Sequence, residues 1–107
     1  MYVKMTAIMP ATPYRALVQQ IDILSYNVRG FHLKLAEPPR LEFKAGQFII
    51  VNVPKDGHVV KRAYSIASPP HEPMTIELCI QHVEGGAAST YFWKLKAGDS
   101  VSLSGPH

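Results

Sequence analysis

Residues 61–68 read Lys-Arg-Ala-Tyr-Ser-Ile-Ala-Ser, within a β-branched and aromatic run that predicts a strand. A guanidinium (Arg62), a phenol ring (Tyr64) and a hydroxyl (Ser65) fall within four residues of one another. A guanidinium can hold a pyrophosphate through paired hydrogen bonds, and a phenol offers a flat face to an aromatic ring system. A hydroxyl can donate to, or accept from, a ring nitrogen that changes protonation. These are the groups that a flavin nucleotide needs, although the stretch alone also suits an edge strand with a surface arginine and a core tyrosine.

The rest of the chain consists mostly of short apolar runs separated by turn residues. Residues 1–13 carry two prolines without a clear period and predict an extended lead-in. Strand-breaking or turn residues recur at Tyr26-Asn27 with Gly30, 37–40, 45–46, 54–57 and 68–73. Five or six strands at this spacing predict a mainly β domain, either a barrel or a sandwich. The strands read directly from the pattern are Arg15–Ile23, Phe31–Leu35, Gln47–Val53, Val59–Ala67 and Met74–Val83.

One segment departs from the strand pattern. Residues 87–96, which follow Gly85-Gly86, favour a helix, with Lys94 and Lys96 in its last turn and Gly98 as its stop. A helix N-terminus presents unpaired N–H groups and partial positive charge, which suit a phosphate, and glycines let a ligand approach the backbone. Alone, the same residues also describe a plain loop-to-helix joint.

Four motifs together resemble the flavin-binding domain of the ferredoxin–NADP reductase superfamily. Arg62-x-Tyr64-Ser65 is similar to the Arg-x-Tyr-Ser flavin motif, and Gly86-Ala-Ala-Ser89-Thr90 resembles the motif that opens the helix over the pyrophosphate. Lys44-Ala-Gly-Gln-Phe48 resembles the Pro-Gly-Gln-Phe/Tyr start of a strand, with alanine where proline is common, and residues 97–106 resemble the last barrel strand with its Gly-Pro. The resemblance implies a six-stranded antiparallel Greek-key β-barrel with one short helix covering the flavin phosphates.

The resemblance also implies a role for each matching residue. Arg62 would bind the FAD pyrophosphate, Tyr64 would pack on the isoalloxazine or ribityl chain, and Ser65 would be the catalytic residue near flavin N5. Because side chains alternate along a regular strand, this role of Ser65 requires a twist, a bulge or a backbone contact. FMN is a weaker alternative to FAD, and the adenine of FAD would lie near the Pro69-Pro70 loop. The implied cofactor-binding residues are Arg62, Ala63, Tyr64, Ser65, Ile80, Gln81, His82, Gly86, Ala87, Ala88, Ser89 and Thr90.

The resemblance further implies a second domain. Family members continue past the Gly-Pro into a parallel α/β domain that holds NAD(P)H, whereas this sequence ends at His107 and contains no Gly-x-Gly-x-x-Gly. We therefore expect residues 1–107 to be one FAD-binding domain of a truncated chain, with its NAD(P)H-binding domain C-terminal or in trans. The complete enzyme would pass electrons between NAD(P)H and an acceptor such as an iron–sulfur protein. The isolated domain would react poorly with NAD(P)H, because hydride transfer needs the nicotinamide held against the flavin.

Composition argues against several other classes. The formal net charge is only +3 and the basic residues are scattered apart from Lys61-Arg62, so no nucleic acid partner is expected. No stretch approaches the ~20 apolar residues of a membrane span and no signal peptide is evident, so we expect a cytoplasmic protein. Cys79 is expected to be a buried small hydrophobe, and the histidines show no metal-binding spacing. The alternative left open is a cofactor-free small β-barrel that binds an oligonucleotide or a protein.

Overall fold

The computed structural model describes residues 13–107, so the predicted lead-in lies almost wholly outside the described residues. The described chain forms six strands and one short helix. In chain order these are β1 (Tyr14–Ser25), β2 (Val28–Glu37), β3 (Phe48–Lys55), β4 (His58–Ser65), β5 (Thr75–Gln81), α1 (Ala87–Trp93) and β6 (Ser100–Ser104).

The six strands form one antiparallel sheet in the order β4-β3-β6-β1-β2-β5. The last strand, β6, pairs with both β1 and β3, which gives the non-consecutive order of a Greek key. The edge strands β4 and β5 do not pair, but just after β4 the Ala67 N–H donates to the Glu77 carbonyl of β5 at 2.8 Å. The predicted mainly β class is confirmed, while the word barrel describes this unclosed sheet only approximately.

Alternating apolar residues build the core. Ile76, Leu78 and Ile80 of β5 are each at most 1% exposed, as the period of two along a strand requires for one buried face. The helix adds Phe92, whose ring centroid lies 5.0 Å from that of Phe31 in β2. The helix is therefore fixed against the sheet by its own buried aromatic side chain.

Two predicted boundaries differ from the structure. Gly30 is not in a turn but is buried inside β2, because Tyr26-Asn27 alone reverses the chain between β1 and β2. The helix ends at Trp93, so Lys94 is its C-cap residue and Lys96 lies beyond it. The seven-residue helix has no basic residue in its last turn. No helix within residues 13–107 is long and apolar enough to cross a membrane.

The expectation of a buried Cys79 is wrong. Leu78 and Ile80 point into the core, so alternation along β5 places the thiol between them on the outer face, where it is exposed. The apolar run in the sequence therefore gave no sign that one of its residues faces outward.

Candidate functional site

Strand β4 forms one wall of the site. It lies at an edge of the sheet and pairs with β3 in unbroken antiparallel register over its whole length. Arg62 and Tyr64 occupy the same face of β4, and the Tyr64 ring meets the Phe92 ring edge-on with centroids 5.7 Å apart. The strand thus holds the predicted phosphate-binding and ring-stacking side chains next to each other.

The same register decides where Ser65 points. Because the ladder between β3 and β4 contains no bulge, alternation places the side chains of Ala63 and Ser65 on the face opposite Arg62 and Tyr64. Of the three arrangements considered from the sequence, the bulge is therefore wrong within β4. A backbone contact from Ser65, or a twist where the strand ends at this residue, stays a prediction.

The double glycine forms a tight turn into α1. Gly85 has a φ of +77°, which favours glycine because a Cβ is strained there. Gly86 is needed for space, since an added Cβ would lie 3.0 Å from the Val83 carbonyl oxygen and 3.1 Å from Ser89 Oγ. The two glycines therefore serve different purposes, one conformational and the other steric.

Ser89 fastens this turn rather than offering its hydroxyl to a ligand. Its side chain is 4% exposed, and its Oγ donates to the Val83 carbonyl at 3.1 Å and accepts from the Val83 N–H at 3.0 Å. The resemblance implies backbone or hydroxyl donors at this residue, and since a serine hydroxyl has one proton, which the Val83 carbonyl accepts here, the backbone N–H is the donor that this arrangement leaves for a phosphate.

The backbone at the start of α1 supplies donors instead. The first helical hydrogen bond in this turn runs from the Thr90 N–H to the Gly86 carbonyl at 3.1 Å. The N–H groups of Ala87, Ala88 and Ser89 precede it, and no side chain in the described residues caps the helix. Three N–H groups at this end are therefore placed to donate to an anion.

These two walls line one open cavity of about 490 Å³. Its volume lies in the range of about 300–1,000 Å³ that is usual for small-molecule sites. It combines a cation, an aromatic ring and backbone N–H groups, which is the donor set that a flavin with its phosphate requires. The lining residues are Lys55, Arg62, Tyr64, Gln81, Val83, Gly85, Gly86, Ala87, Ala88 and Ser89.

The cavity is electrostatically positive. Lys55 and Arg62 line it and no carboxylate does, and within residues 13–107 Arg62 forms no salt bridge, its Nη1 donating to the Lys61 carbonyl at 2.9 Å. Burial raises the pKa of Tyr64, and the neighbouring Arg62 charge partly opposes this rise. The tyrosine ring is therefore neutral at ordinary pH, and the site favours an anionic ligand that carries an aromatic group.

Some predicted residues lie elsewhere. Ile80 belongs to the core, Ala63 lies on the outer side of β4, and Thr90 lines an adjoining cavity. His82 packs beside Trp93 with ring centroids 5.2 Å apart. The structure thus gathers Arg62, Tyr64, Gln81 and the helix start, but not the whole predicted set.

Three lining residues were missed from the sequence. Lys55 and Val83 carry no motif, and only the folding of the β3–β4 turn against the helix start brings Lys55 to the cavity. Gly85 did have a signal, since it is half of the double glycine. Sequence spacing alone could not have found the lysine, because it precedes the arginine motif on another strand.

A separate cluster links three strands on the outer face of the sheet. His32 Nε2 lies 2.7 Å from Asp22 Oδ2 and 3.4 Å from Glu77 Oε2. Hydrogen bonds from Gln20 and then His32 hold the pKa of Asp22 below its ordinary value of 3.8. The residues could offer three ligand atoms to a metal, a grouping that sequence spacing does not show. We interpret the cluster as a network of polar contacts that ties β1, β2 and β5 together.

An antiparallel sheet with a positive, tyrosine-lined cavity under a glycine-led helix defines a flavin-binding β domain. The chain belongs to the oxidoreductase FAD-binding domain family, whose model matches residues 15–107. This match confirms the resemblance to the ferredoxin–NADP reductase superfamily and supports a flavin-binding domain over a cofactor-free barrel.

Two of the similar proteins are a reductase component and a reductase. The chain is 42% identical over 100 residues to the reductase component of phenol 2-monooxygenase from Pseudomonas sp. (strain CF600), covering 92% of this chain and 27% of the relative. It is 38% identical over 97 residues to ferredoxin–NADP reductase B from Sorangium cellulosum, covering 91% of this chain and 40% of the relative. The chain therefore spans well under half the length of these relatives.

Solved structures agree on the fold. The cytochrome P450 reductase GcoB of Amycolatopsis has a TM-score of 0.77 at 34% identity, covering 90% of this chain and 28% of that one. Phthalate dioxygenase reductase has a TM-score of 0.75 at 21% identity, covering 88% of this chain and 30% of that one. At that identity the likeness concerns the fold alone.

Proposed function

We propose that this domain holds FAD in the cavity between β4 and α1, as part of a larger oxidoreductase that moves electrons between NAD(P)H and an acceptor such as an iron–sulfur protein. The observation that carries the proposal is that Arg62, Tyr64 and the Gly85-Gly86 turn line a single cavity without a carboxylate. When bound, the flavin supplies the hydride and single-electron chemistry that amino-acid side chains lack.

Each wall of the cavity has a distinct part in this proposal. The guanidinium of Arg62 and the N–H groups of residues 87–89 bind the phosphates from two sides. Tyr64 supports the ring system with a neutral aromatic face, which Phe92 holds in place from behind. Ser65, exposed at the end of β4, presents its backbone or hydroxyl to the ring edge, and this remains the proposed catalytic position.

The acceptor and the nicotinamide site are proposed from the relatives. Their names describe reductase components of monooxygenases and dioxygenases and a ferredoxin–NADP reductase. We infer that NAD(P)H binds a separate domain, C-terminal or in trans, because the donor set of this cavity is accounted for by the flavin. The cytoplasmic location expected from the sequence also remains a prediction.

The proposal is tested by flavin titration of the 107-residue chain. Purified protein mixed with FAD should turn yellow and keep the flavin through gel filtration. A folded chain that takes up neither FAD nor FMN would overturn the proposed function.

Substitution of Arg62 tests its role. Arg62→Ala should weaken FAD binding about tenfold to a hundredfold, as expected for losing a charge-assisted hydrogen bond worth ~1.5–3 kcal/mol, and should spare riboflavin, which has no phosphate. Lys61→Ala is the matched control, because Lys61 points to the other face and donates to Asn52 Oδ1 at 2.8 Å. Equal losses for FAD and riboflavin would contradict the phosphate role.

A further inference from the structure

Three side chains from three neighbouring strands meet on the outer face of the sheet. Asp22 lies in β1, His32 in β2 and Glu77 in β5, and each offers one ligand atom within 4.8 Å of the other two. None of the three lines the flavin cavity. The cluster is therefore a feature of the domain that the proposed function does not use.

A β-bulge aims the first of these side chains at the cluster. Val18 faces the core, and along a regular strand Gln20 and Asp22 would do the same. The register between β1 and β2 shifts between Val18 and Gln20, so one extra residue reverses the alternation and places Gln20 directly opposite His32. Asp22 thereby reaches the outer face, where its Oδ2 lies 2.7 Å from His32 Nε2. The bulge is what brings the β1 carboxylate to the β2 imidazole.

The imidazole faces two carboxylates at once. Glu77 lies directly opposite His32 in the ladder between β2 and β5, and its Oε2 is 3.4 Å from the same Nε2 atom that contacts Asp22. Nε2 carries at most one proton, so it can serve only one of the two carboxylates well. Among residues 13–107 no lysine or arginine forms an ion pair with either of them. Two carboxylates that share one imidazole nitrogen leave negative charge that a cation would neutralise.

The separations of these atoms suit a zinc ion after small side-chain adjustments. Zinc binds histidine nitrogen at ~2.0–2.1 Å and carboxylate oxygen at ~2.0–2.2 Å, so tetrahedral ligand atoms lie about 3.3–3.5 Å apart. The separation between His32 Nε2 and Glu77 Oε2 already has this value, and that between His32 Nε2 and Asp22 Oδ2 needs to open by about 0.6 Å. The side-chain amide of Gln20 donates to the other Asp22 oxygen, Oδ1, at 2.8 Å, and such an outer contact holds a ligating carboxylate in place.

We propose that Asp22, His32 and Glu77 bind one divalent transition-metal ion, with Zn²⁺ as the ion that fits and water in its fourth position. Imidazole nitrogen favours Zn²⁺ over Mg²⁺ and Ca²⁺, which prefer ligand sets made wholly of oxygen. The ion takes the place of the hydrogen bond between His32 and Asp22 and fastens the edge strand β5 to β2 and β1. Because the ligands come from three strands, the site forms only in the folded chain and its role is structural.

Zinc titration of the tag-free 107-residue chain, stripped of metal beforehand, tests the proposal. Calorimetry at pH 7 should show one Zn²⁺ ion bound per chain, without competition from Mg²⁺. His32→Gln, Asp22→Asn and Glu77→Gln should each weaken Zn²⁺ binding at least about tenfold, the lower end of the loss seen when residues that only orient ligands are removed. Zn²⁺ should also raise the urea midpoint of the wild-type chain but not that of His32→Gln, because an ion bound only by the folded state stabilises it.

His71→Gln and Glu72→Gln are the matched controls, because both residues are exposed in the loop before β5 and lie outside the cluster. They should leave the Zn²⁺ affinity unchanged. Far-ultraviolet circular dichroism reports whether each variant is folded, and the two carboxylate variants decide the outcome if His32→Gln does not fold. A wild-type chain that takes up no Zn²⁺, equal losses in His32→Gln and His71→Gln, or equal competition by Mg²⁺ would overturn the metal site. The flavin function would stand in each of these cases, since none of the ligands lines the flavin cavity.

Discussion

The role of Ser89 can be decided by removing its hydroxyl. In Ser89→Ala the Val83 N–H loses its partner, whereas the Val83 carbonyl keeps a second donor, the Gly86 N–H at 2.9 Å. An orphaned buried donor costs about 1–3 kcal/mol, and because Val83 itself is 57% exposed and water can reach this turn, we expect the lower part of that range, about 1–2 kcal/mol. For a domain of this size each kcal/mol lowers the melting temperature by about 4–8 °C.

The assay is urea unfolding of the flavin-free chain followed by far-ultraviolet circular dichroism, with FAD titration of the same preparations. Ser100→Ala is the control, since Ser100 is an exposed serine of β6 that lines neither the flavin cavity nor the adjoining one. We expect Ser89→Ala to be less stable without flavin and to bind FAD more weakly. A variant with wild-type stability that still loses FAD affinity would refute the reasoning, because it would mean that the hydroxyl contacts the phosphate directly.

Three further predictions concern the fold. Phe92→Ala should lower the free energy of unfolding by about 3–5 kcal/mol, because the fully buried ring joins α1 to the sheet, and an unchanged urea midpoint would contradict this. Gly85→Ala should cost about 1–2 kcal/mol because of its φ of +77°, with Gly85→Asn costing less, and calorimetric melting of both variants measures the difference. The lowered pKa of Asp22 means that its carboxylate stabilises the fold above the unfolded-state pKa, and this stabilisation is lost as the pH falls through the folded-state pKa. Wild-type stability should therefore decline below about pH 4, and urea titrations at pH 3–7 should show a smaller decline for Asp22→Asn.

Much of the fold could be predicted from local patterns. All five strands predicted from alternation are present, because alternate burial in a sheet leaves a period of two in the sequence. Strand ends differ by a few residues, and the helix ends at Trp93, three residues before the end that its propensity suggested. Cys79 shows the limit of an apolar run, because hydrophobicity alone does not say which face a residue occupies.

Some features of the candidate site could likewise be predicted from the sequence, and others depend on the tertiary structure. By itself the sequence determined the chemical types, namely a guanidinium, a phenol and a double glycine at motif spacing, because these are properties of contiguous residues. Only the tertiary structure decided that Lys55 joins them, that Ser89 binds the backbone of its own turn, and that Tyr91 and Lys94 face a second cavity. These contacts join segments that are separated in the chain or depend on which side of an element a residue occupies, so they exist only once β3, β4 and α1 have packed together.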